Sequence, residues 1–531
     1  MICASYNLRG NQRTSGEESR KEGGKVFGSG SRNTVVITIG VKDPNKSGCE
    51  IHYHNIGDYL TAEQKLDIVD HSSLETMEWD LIRPNSHGDW LQQRSVDFET
   101  WPVIGDKKKS RDIIFESYSG GLASGGDIWR YAATIKDLSI NMSKAIKFCK
   151  EVRLAFEEWS LELGITNPKL QDINEFLKRN PGFADPTQGT LNRSLRQRLV
   201  RGNPINFDPS HIRYSLYRPF NRQVVYFDPL VNEMVYRIPS MFPTPEHKNI
   251  GFVLTAPASH FQFCLLATDL LPNLHALDTG QFFPRFTWEK VDPEDGGLFG
   301  AVGVDKREES KYGVIGEEIA GYVRVDNITA DIKKLYRDAL GADITGDDIF
   351  HFVYGKLHDP EYREAYAADL KKMLPHIQTP ATREEFNKFA VAGEQLMELH
   401  VGYENVEPWP LTIDVSADAD DRETWRVAKM KWKKRKDPET GKSVDDVTTL
   451  IYNRNVVISG IPEEADRYML GARSAVAWLI DRYQVKKDKP SGIVNDPNDW
   501  CDEVGNPRYI VDLIGKVVRV AVETVRIVDG L

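Results

Sequence analysis

TVVITIGVKDPNKSGCEIHYHNI, residues 34–56, decides the first architectural reading of this chain. Its opening, TVVITIGV (34–41), is apolar and β-branched, the composition of a buried strand. EIHYHNI (50–56) alternates as a second strand. The link KDPNKSG carries turn chemistry in Pro44, Asn45 and Gly48, so the two strands are expected to pair antiparallel. Upstream, residues 2–8 give a third strand that runs into a polar loop. Downstream, TAEQKLDIV predicts a helix, with Thr61 as N-cap and Gln64 at capping-box spacing. Strand, strand and helix form the tail of an α/β unit.

Further out, residues 85–131 are glycine-rich and loop-like. Residues 141–164 predict an amphipathic helix, with Met142, Ile146, Cys149, Val152, Phe156 and Trp159 on one face for packing. A second helix over 169–179 ends before Asn180-Pro181-Gly182. Residues 190–290 are rich in Arg, Tyr and Phe, with short strands QVVYFD and IGFVLTA. Residues 327–376 read as helical, and the end combines the strand NVVISG with helices over 462–483 and 507–528. The expected class is mixed α/β and α+β. It divides into a partial sheet unit (1–150), a helical connector (151–189) and a mixed α+β domain (190–531).

A chain of 531 residues, 40% hydrophobic and 28% charged, can bury large cores without staples. Cys3, Cys49, Cys149, Cys264 and Cys501 lie far apart, which indicates neither a disulfide framework nor a cysteine metal site and fits a reducing cytoplasm. No apolar run approaches the ~18 residues of a membrane span, and the start is not a signal peptide. Met1–Leu8 reads as a strand, so the chain is expected to begin inside a domain.

Several chemistries lack their motifs. Gly441-Lys442-Ser443 ends like a phosphate-binding loop, but Lys436 stands where its first glycine is required. GSGSR at 28–32 is glycine-rich without a strand-to-helix context, and neither HExxH nor GxSxG occurs. His52 and His54 lack a third ligand nearby, so no metal site is expected.

A net charge of −11 opposes uniform nucleic-acid binding, yet charge acts locally. Residues 191–222, LNRSLRQRLVRGNPINFDPSHIRYSLYRPFNR, hold seven arginines and one acid with interleaved aromatics. Arginine forks onto phosphate or the guanine edge; the alternative is a solvated helix face with internal ion pairs. Residues 429–436, KMKWKKRK, hold six basic residues and Trp432. TWRVAKMKW and DVTTLIYNRNVVISG flank the turn KDPETGKS as strands, giving a basic hairpin. It reads equally as a groove reader or as an edge strand guarded by lysines. The candidate DNA contacts are Arg196, Arg198, Arg201, Arg213, Tyr214, Arg218, Lys431, Trp432, Lys434 and Arg435.

Longer words carry a resemblance. LRGNQRTSGEESRKEGGKVFGSGSR, PNSHGDWLQQR, YSGGLASGGDIW, RYSLYRPFNR, LLPNLHALDTGQFFPRF, DIFHFVYGKLHDPEYREAYAADLKKMLP and YQVKKDKPSGIVNDPNDW resemble the C-terminal part of Type ISP restriction-modification enzymes. These join nuclease, helicase, adenine-N6 methyltransferase and target recognition domain in one chain. The resemblance implies that 1–150 is the C-terminal remnant of a γ-class methyltransferase domain, with a partial methyltransferase-like sheet. It makes 190–531 the target recognition domain. Residues 26–41 resemble the γ-class motif VIII region, in which an aromatic stacks on the flipped adenine; Phe27 is the match. A core aromatic is the alternative reading of Phe27.

The chain departs from the family pattern in two places. The S-adenosylmethionine glycine loop and the Asn-Pro-Pro-aromatic tetrapeptide are missing. The nearest string, Asn180-Pro181-Gly182-Phe183, has Gly for the second Pro and lies after the motif VIII region. No catalytic residue is therefore assigned, no cofactor is expected to bind this chain alone, and S-adenosylmethionine belongs to the complete enzyme. The implied function is recognition of double-stranded DNA, with a separately encoded N-terminal methyltransferase, helicase and nuclease part as a candidate partner. The alternatives are part of an active adenine methyltransferase completed by upstream sequence, and a non-enzymatic interaction or RNA-binding protein.

Overall fold

The strand Ile2–Asn7 organises the N-terminal unit of this computed structural model. The structure describes all residues except 14–15, 29–31, 46, 109–111, 258, 292–306, 419–421 and 439–440. The expected loop GSGSR therefore lies partly outside the described residues. Ile2–Asn7 pairs antiparallel with Val36–Val41 on one side and parallel with Glu50–Asn55 on the other, and Asp80–Ile82 completes the sheet. The two strands of the 34–56 stretch thus run in opposite directions without pairing, which corrects the expected hairpin. Turn residues report where the chain reverses, not which strand it meets next. Here the link steps over Ile2–Asn7, whose Cys3 and Tyr6 are buried.

The second correction is burial. Val36–Val41 exposes all six residues. The helix Ala62–Asp70 forms as expected: Thr61 accepts from the Gln64 amide at 3.2 Å, and Gln64 Oε1 accepts from the Thr61 amide at 2.9 Å. The Lys65 ammonium folds inward, donating to the carbonyls of Glu22 (2.6 Å) and Gly24 (2.8 Å).

The helix Ile135–Glu162 starts earlier than its apolar periodicity suggests, because Thr134 caps it. It runs unbroken through residue 150 and buries Met142, Ile146, Cys149, Val152 and Phe156. Ile173 and Phe176 of Leu170–Arg179, and Leu195 and Leu199 of Arg193–Val200, close this core.

Residues 119–132 belong to the central sheets. Ser119–Gly120 adds to Gly280–Pro284, which pairs with Gly251–Thr255, and Leu265–Thr268 pairs with the far side of Gly251–Thr255. Tyr131–Ala132 adds to Asn221–Tyr226, which pairs with Ile212–Arg218. Against the first sheet pack the helices Gly346–Lys356 and Arg383–Val401. They cross at Gly355 and Gly393. A Cβ on Gly393 would lie 1.9 Å from the His351 carbonyl oxygen, and one on Gly355 would lie 2.1 Å from that of Phe389. Only glycine permits this approach.

The last sheet runs Thr412–Val415, Val456–Ser459, Ser443–Ile451, Lys431–Lys436 and packs on the apolar helix Tyr509–Asp529. The helix expected over 462–483 is divided. A short turn Glu463–Arg467 and two brief strands precede the helix Ala475–Arg482, because Gly471 takes a left-handed φ of 71°. Among the described residues, no helix is long and apolar enough to cross a membrane.

Candidate nucleic-acid interface

The expected basic hairpin forms. Lys431–Lys436 is the edge strand, paired with Ser443–Ile451, and its register shifts between Trp432 and Lys433. Within the turn KDPETGKS, residues 439–440 lie outside the described residues. Lys431, Lys433, Lys434, Arg435 and Lys436 are exposed, whereas Trp432 is half-buried opposite Leu450 and packs on the core. Trp432 therefore anchors the strand. Lys434 pairs with Asp445 across the ladder at 2.8 Å, and Arg435 approaches Glu463 at 3.7 Å. Lys431, Lys433 and Lys436 have no ion pair among the described residues. The edge position and the unpaired charge coexist, so the two readings of this segment describe one object.

The arginines of 191–222 separate into two groups. Arg198 donates to the Asn232 carbonyl at 3.1 Å, and burial holds its guanidinium below the usual range. Arg213 donates to the carbonyls of Ser210 and Ile212 and is likewise desolvated. These two cap backbone. Arg196 bonds Asn174 at 2.7 Å and stays part-exposed, and Arg201 is exposed at the helix end with no side-chain partner among the described residues.

Arg218 lies 4.2 Å from the Tyr217 ring centroid and donates to Asn273 at 3.1 Å. Tyr214, 40% exposed, meets the Trp500 edge at 6.3 Å, with the Arg222 guanidinium 5.1 Å from its ring. The turn after Arg218 is fixed by Phe220, buried with a left-handed φ of 54° against Tyr403 at 5.3 Å. Such a backbone costs an aromatic residue on the order of 1–2 kcal/mol, so the surrounding core dictates this turn.

The fold joins the two segments through residues far away in sequence. The Tyr217 hydroxyl lies within the field of both Arg218 and Arg482. Lys486 is held below its usual range by burial, with Arg482, Arg473 and Lys429 adding like charge against Asp481. Lys429 opens the KMKWKKRK segment. Arg482, Arg473, Lys486 and Lys429 thus gather near one another, and Arg218 and Arg482 both stand near Tyr217.

Residues 113–513 match the Type ISP C-terminal specificity domain. The chain belongs to this family. Solved structures agree over the whole chain. A nuclease-deletion mutant of the Type ISP restriction-modification enzyme LlaGI, in complex with a DNA substrate mimic, is 32% identical with a TM-score of 0.77. The ATP-dependent Type ISP enzyme LlaBIII bound to DNA is 26% identical (TM-score 0.78), and DrdV in its DNA complex is 27% identical (0.77). All three matches cover 100% of this chain, which spans 36%, 31% and 47% of those chains respectively. No curated protein matches the sequence.

The cation cluster of this specificity domain was only half visible in its sequence. Arg473 and Arg482 escaped because they stand singly among acids and aromatics, and Lys486 because its run is short. Arg473 and Arg482 lie over Trp478, at 5.0 and 5.9 Å, and share Asp481. The run VKKDKP (485–490) was the available signal. Phe27 is 57% exposed on the N-terminal unit, outside the family match, so its reading as a core aromatic fails.

Proposed function

We propose that this specificity domain reads duplex DNA by sequence for a Type ISP adenine-N6 methyltransferase of the cytoplasm. The cluster of Arg482, Arg473, Lys486 and Lys429 together with the exposed cations of the edge strand carries the reading, supported by the DNA-bound state of LlaGI, LlaBIII and DrdV. Lys431, Lys434, Arg435, Arg196 and Arg201 contact phosphates, each neutralised phosphate adding about −0.9 to the log–log salt slope. Arg218, held over Tyr217, presents a pre-oriented fork to a base edge. Arg198, Arg213 and Trp432 shape this surface from beneath, and Tyr214 is part of it. Phe27 supplies a π-face for the extruded adenine, whose stacking is worth about 1–3 kcal/mol.

Methyl transfer requires S-adenosylmethionine, and the residues present do not fit that group. The first strand leads to the short helix Gly16–Glu22, and the next regular element after that helix is the strand Val36–Val41 rather than a helix. S-adenosylmethionine belongs to the complete enzyme. The exposed strand Val36–Val41 favours a second form of the same reading, in which a methyltransferase part encoded upstream or separately continues this sheet.

Selection from a randomised duplex library at two salt concentrations tests the proposal. Enrichment of one short motif, with binding that weakens as salt rises, is expected. Equal binding to every duplex, or preference for single strands, overturns it. Arg218→Ala should cost about 1–3 kcal/mol and relax one base position, whereas Lys431→Ala should weaken all sequences alike.

A further inference from the structure

A tight turn at Val235–Ile238 presents a tyrosine in an unusual way. The Ile238 amide donates to the Val235 carbonyl at 3.1 Å. Val235 packs on the main core and Ile238 is fully buried, while Tyr236 and Arg237 between them are exposed. Tyr236 takes a left-handed φ of 46°, and Arg237 a φ of −94° with ψ 4°. A turn with positive φ at its first inner position is normally filled by Gly, Asn or Asp. Here an aromatic residue fills it.

The body holds this conformation from both sides. Met234 exchanges two backbone hydrogen bonds with Ala123, each of 3.0 Å. The Arg237 amide donates to Ser119 Oγ at 3.0 Å, and Arg237 Nη1 donates to Ser117 Oγ at 3.1 Å. Phe220 has a similar backbone, but its ring is buried against Tyr403. Tyr236 gains no such packing. Its ring leans on Gly120, where a Cβ would lie 3.4 Å from it, and the residue is 46% exposed. Among the described residues it stacks on no ring, meets no cation, and its hydroxyl has no partner. Tyr214, the other exposed aromatic described after residue 97, has Trp500 and Arg222 beside it. Met234 is exposed as well.

Cations stand on both sides of the ring. Arg237 acts on the Tyr118 hydroxyl, to which the Lys107 backbone also bonds, and Lys107 and Lys108 are exposed there. On the other side the Leu274 side chain reaches the same point over Gly120, at 3.6 Å, and the preceding Asn273 accepts from Arg218 at 3.1 Å. The two residues 273–274 thus separate the Tyr236 ring from the Arg218 fork. Asp106, Glu116 and Glu233 share the neighbourhood, so the surface is mixed in charge and the uncovered ring is its distinctive feature.

We propose that Tyr236 enters the duplex as a wedge at one base step of the recognised sequence, with Arg218 at the adjoining base edge and Arg237 on a phosphate. This rests on the reading of the domain as a duplex reader. Insertion unstacks the step, and pyrimidine–purine steps unstack most readily. A preference for such a step then arises without a hydrogen bond to either base. The pinned turn suits the role, because a wedge must hold its direction when it meets the stack.

Duplexes carrying the motif selected by the full chain, with 2-aminopurine placed at each purine in turn, test this. Binding should brighten one position, at a pyrimidine–purine step. Tyr236→Ala should abolish the brightening and weaken binding roughly 5- to 150-fold, the worth of one stacked base. It should also relax the preference at that step in a repeated selection and leave the salt slope unchanged. Tyr236→Phe should preserve all of these. If Tyr236→Ala fails to fold, Tyr236→Asn, which accepts the turn, replaces it, and the wild-type scan needs no variant. Selective binding without a brightened position, or brightening and affinity that survive Tyr236→Ala, overturns the wedge and leaves the duplex reading standing. Absence of selective binding overturns both.

Discussion

The strand Val36–Val41, VITIGV, exposes every residue, whereas Gly251–Thr255, GFVLT, exposes none. Their apolar compositions are alike. The second lies between two neighbours in its sheet, and Phe252 meets Phe115, Phe283, Phe350 and Tyr354 at 5.5–5.8 Å. The first stands at a sheet edge over a core of three buried residues, Tyr6, Leu8 and Ile56. An apolar strand therefore encodes the need for a cover, and the cover need not come from the same segment of chain.

The comparison can be broken by core truncation. Phe252→Ala should cost about 3–5 kcal/mol, while Ile39→Ala should cost under about 0.5 kcal/mol, both read by urea unfolding. Equal losses would mean that the edge strand is packed after all. Arg285 sharpens the contrast from the polar side. It is 1% exposed and held by Asp326 and by Asp347 at 2.7 Å. Arg285→Ala should cost about 3–5 kcal/mol, because Asp326 and Asp347 lose their buried shared cation and keep Lys333 and the Ser310 and Lys311 donors respectively. A loss near that of a surface substitution would show the body to be looser than its packing.

A smaller effect is expected at Asp499, beside Asp127, Asp137 and Asp496 in one pocket. Burial first, then Asp496, Asp137 and Asp502, push its carboxyl up to about 6. The folded chain keeps this proton longer than the unfolded chain, so the group's penalty is absent below about pH 4 and grows as pH rises through 6. Asp499→Asn should raise stability by about 1 kcal/mol at pH 8, allowing for solvent screening, and change nothing at pH 4. A gain at both pH values would assign the effect to packing. The smallest change in stability is expected for Ile39→Lys, with melting unaltered. If an upstream sheet covers this strand, the same substitution should abolish association with that part in a pull-down.

Local signals were legible in the sequence where neighbours in the chain decide the outcome. The Thr61–Gln64 capping box, the apolar face of Ile135–Glu162 and the hairpin around residues 437–442 are of this kind. Pairing across distance was not. Nothing in residues 34–56 says that Ile2–Asn7 passes between its strands, and nothing in SYSGG says that it will join Gly280–Pro284. The helix Arg383–Val401 carries Gly393 in mid-course, an unfavourable residue whose purpose appears only against Gly355. The same division holds for the site: the arginine-rich and lysine-rich runs announced themselves, and the single cations joining them did not.

The pairing of Ser119 with Phe282 also sets a timetable. The four described strands of the N-terminal sheet lie within residues 2–82, so they can pair soon after they leave the ribosome. Ser119–Gly120 must wait for about 160 more residues, roughly 8–30 s of bacterial translation. During that interval the nascent chain carries paired strands with an apolar edge and an unfinished body, and whatever covers the edge has an early opportunity to bind.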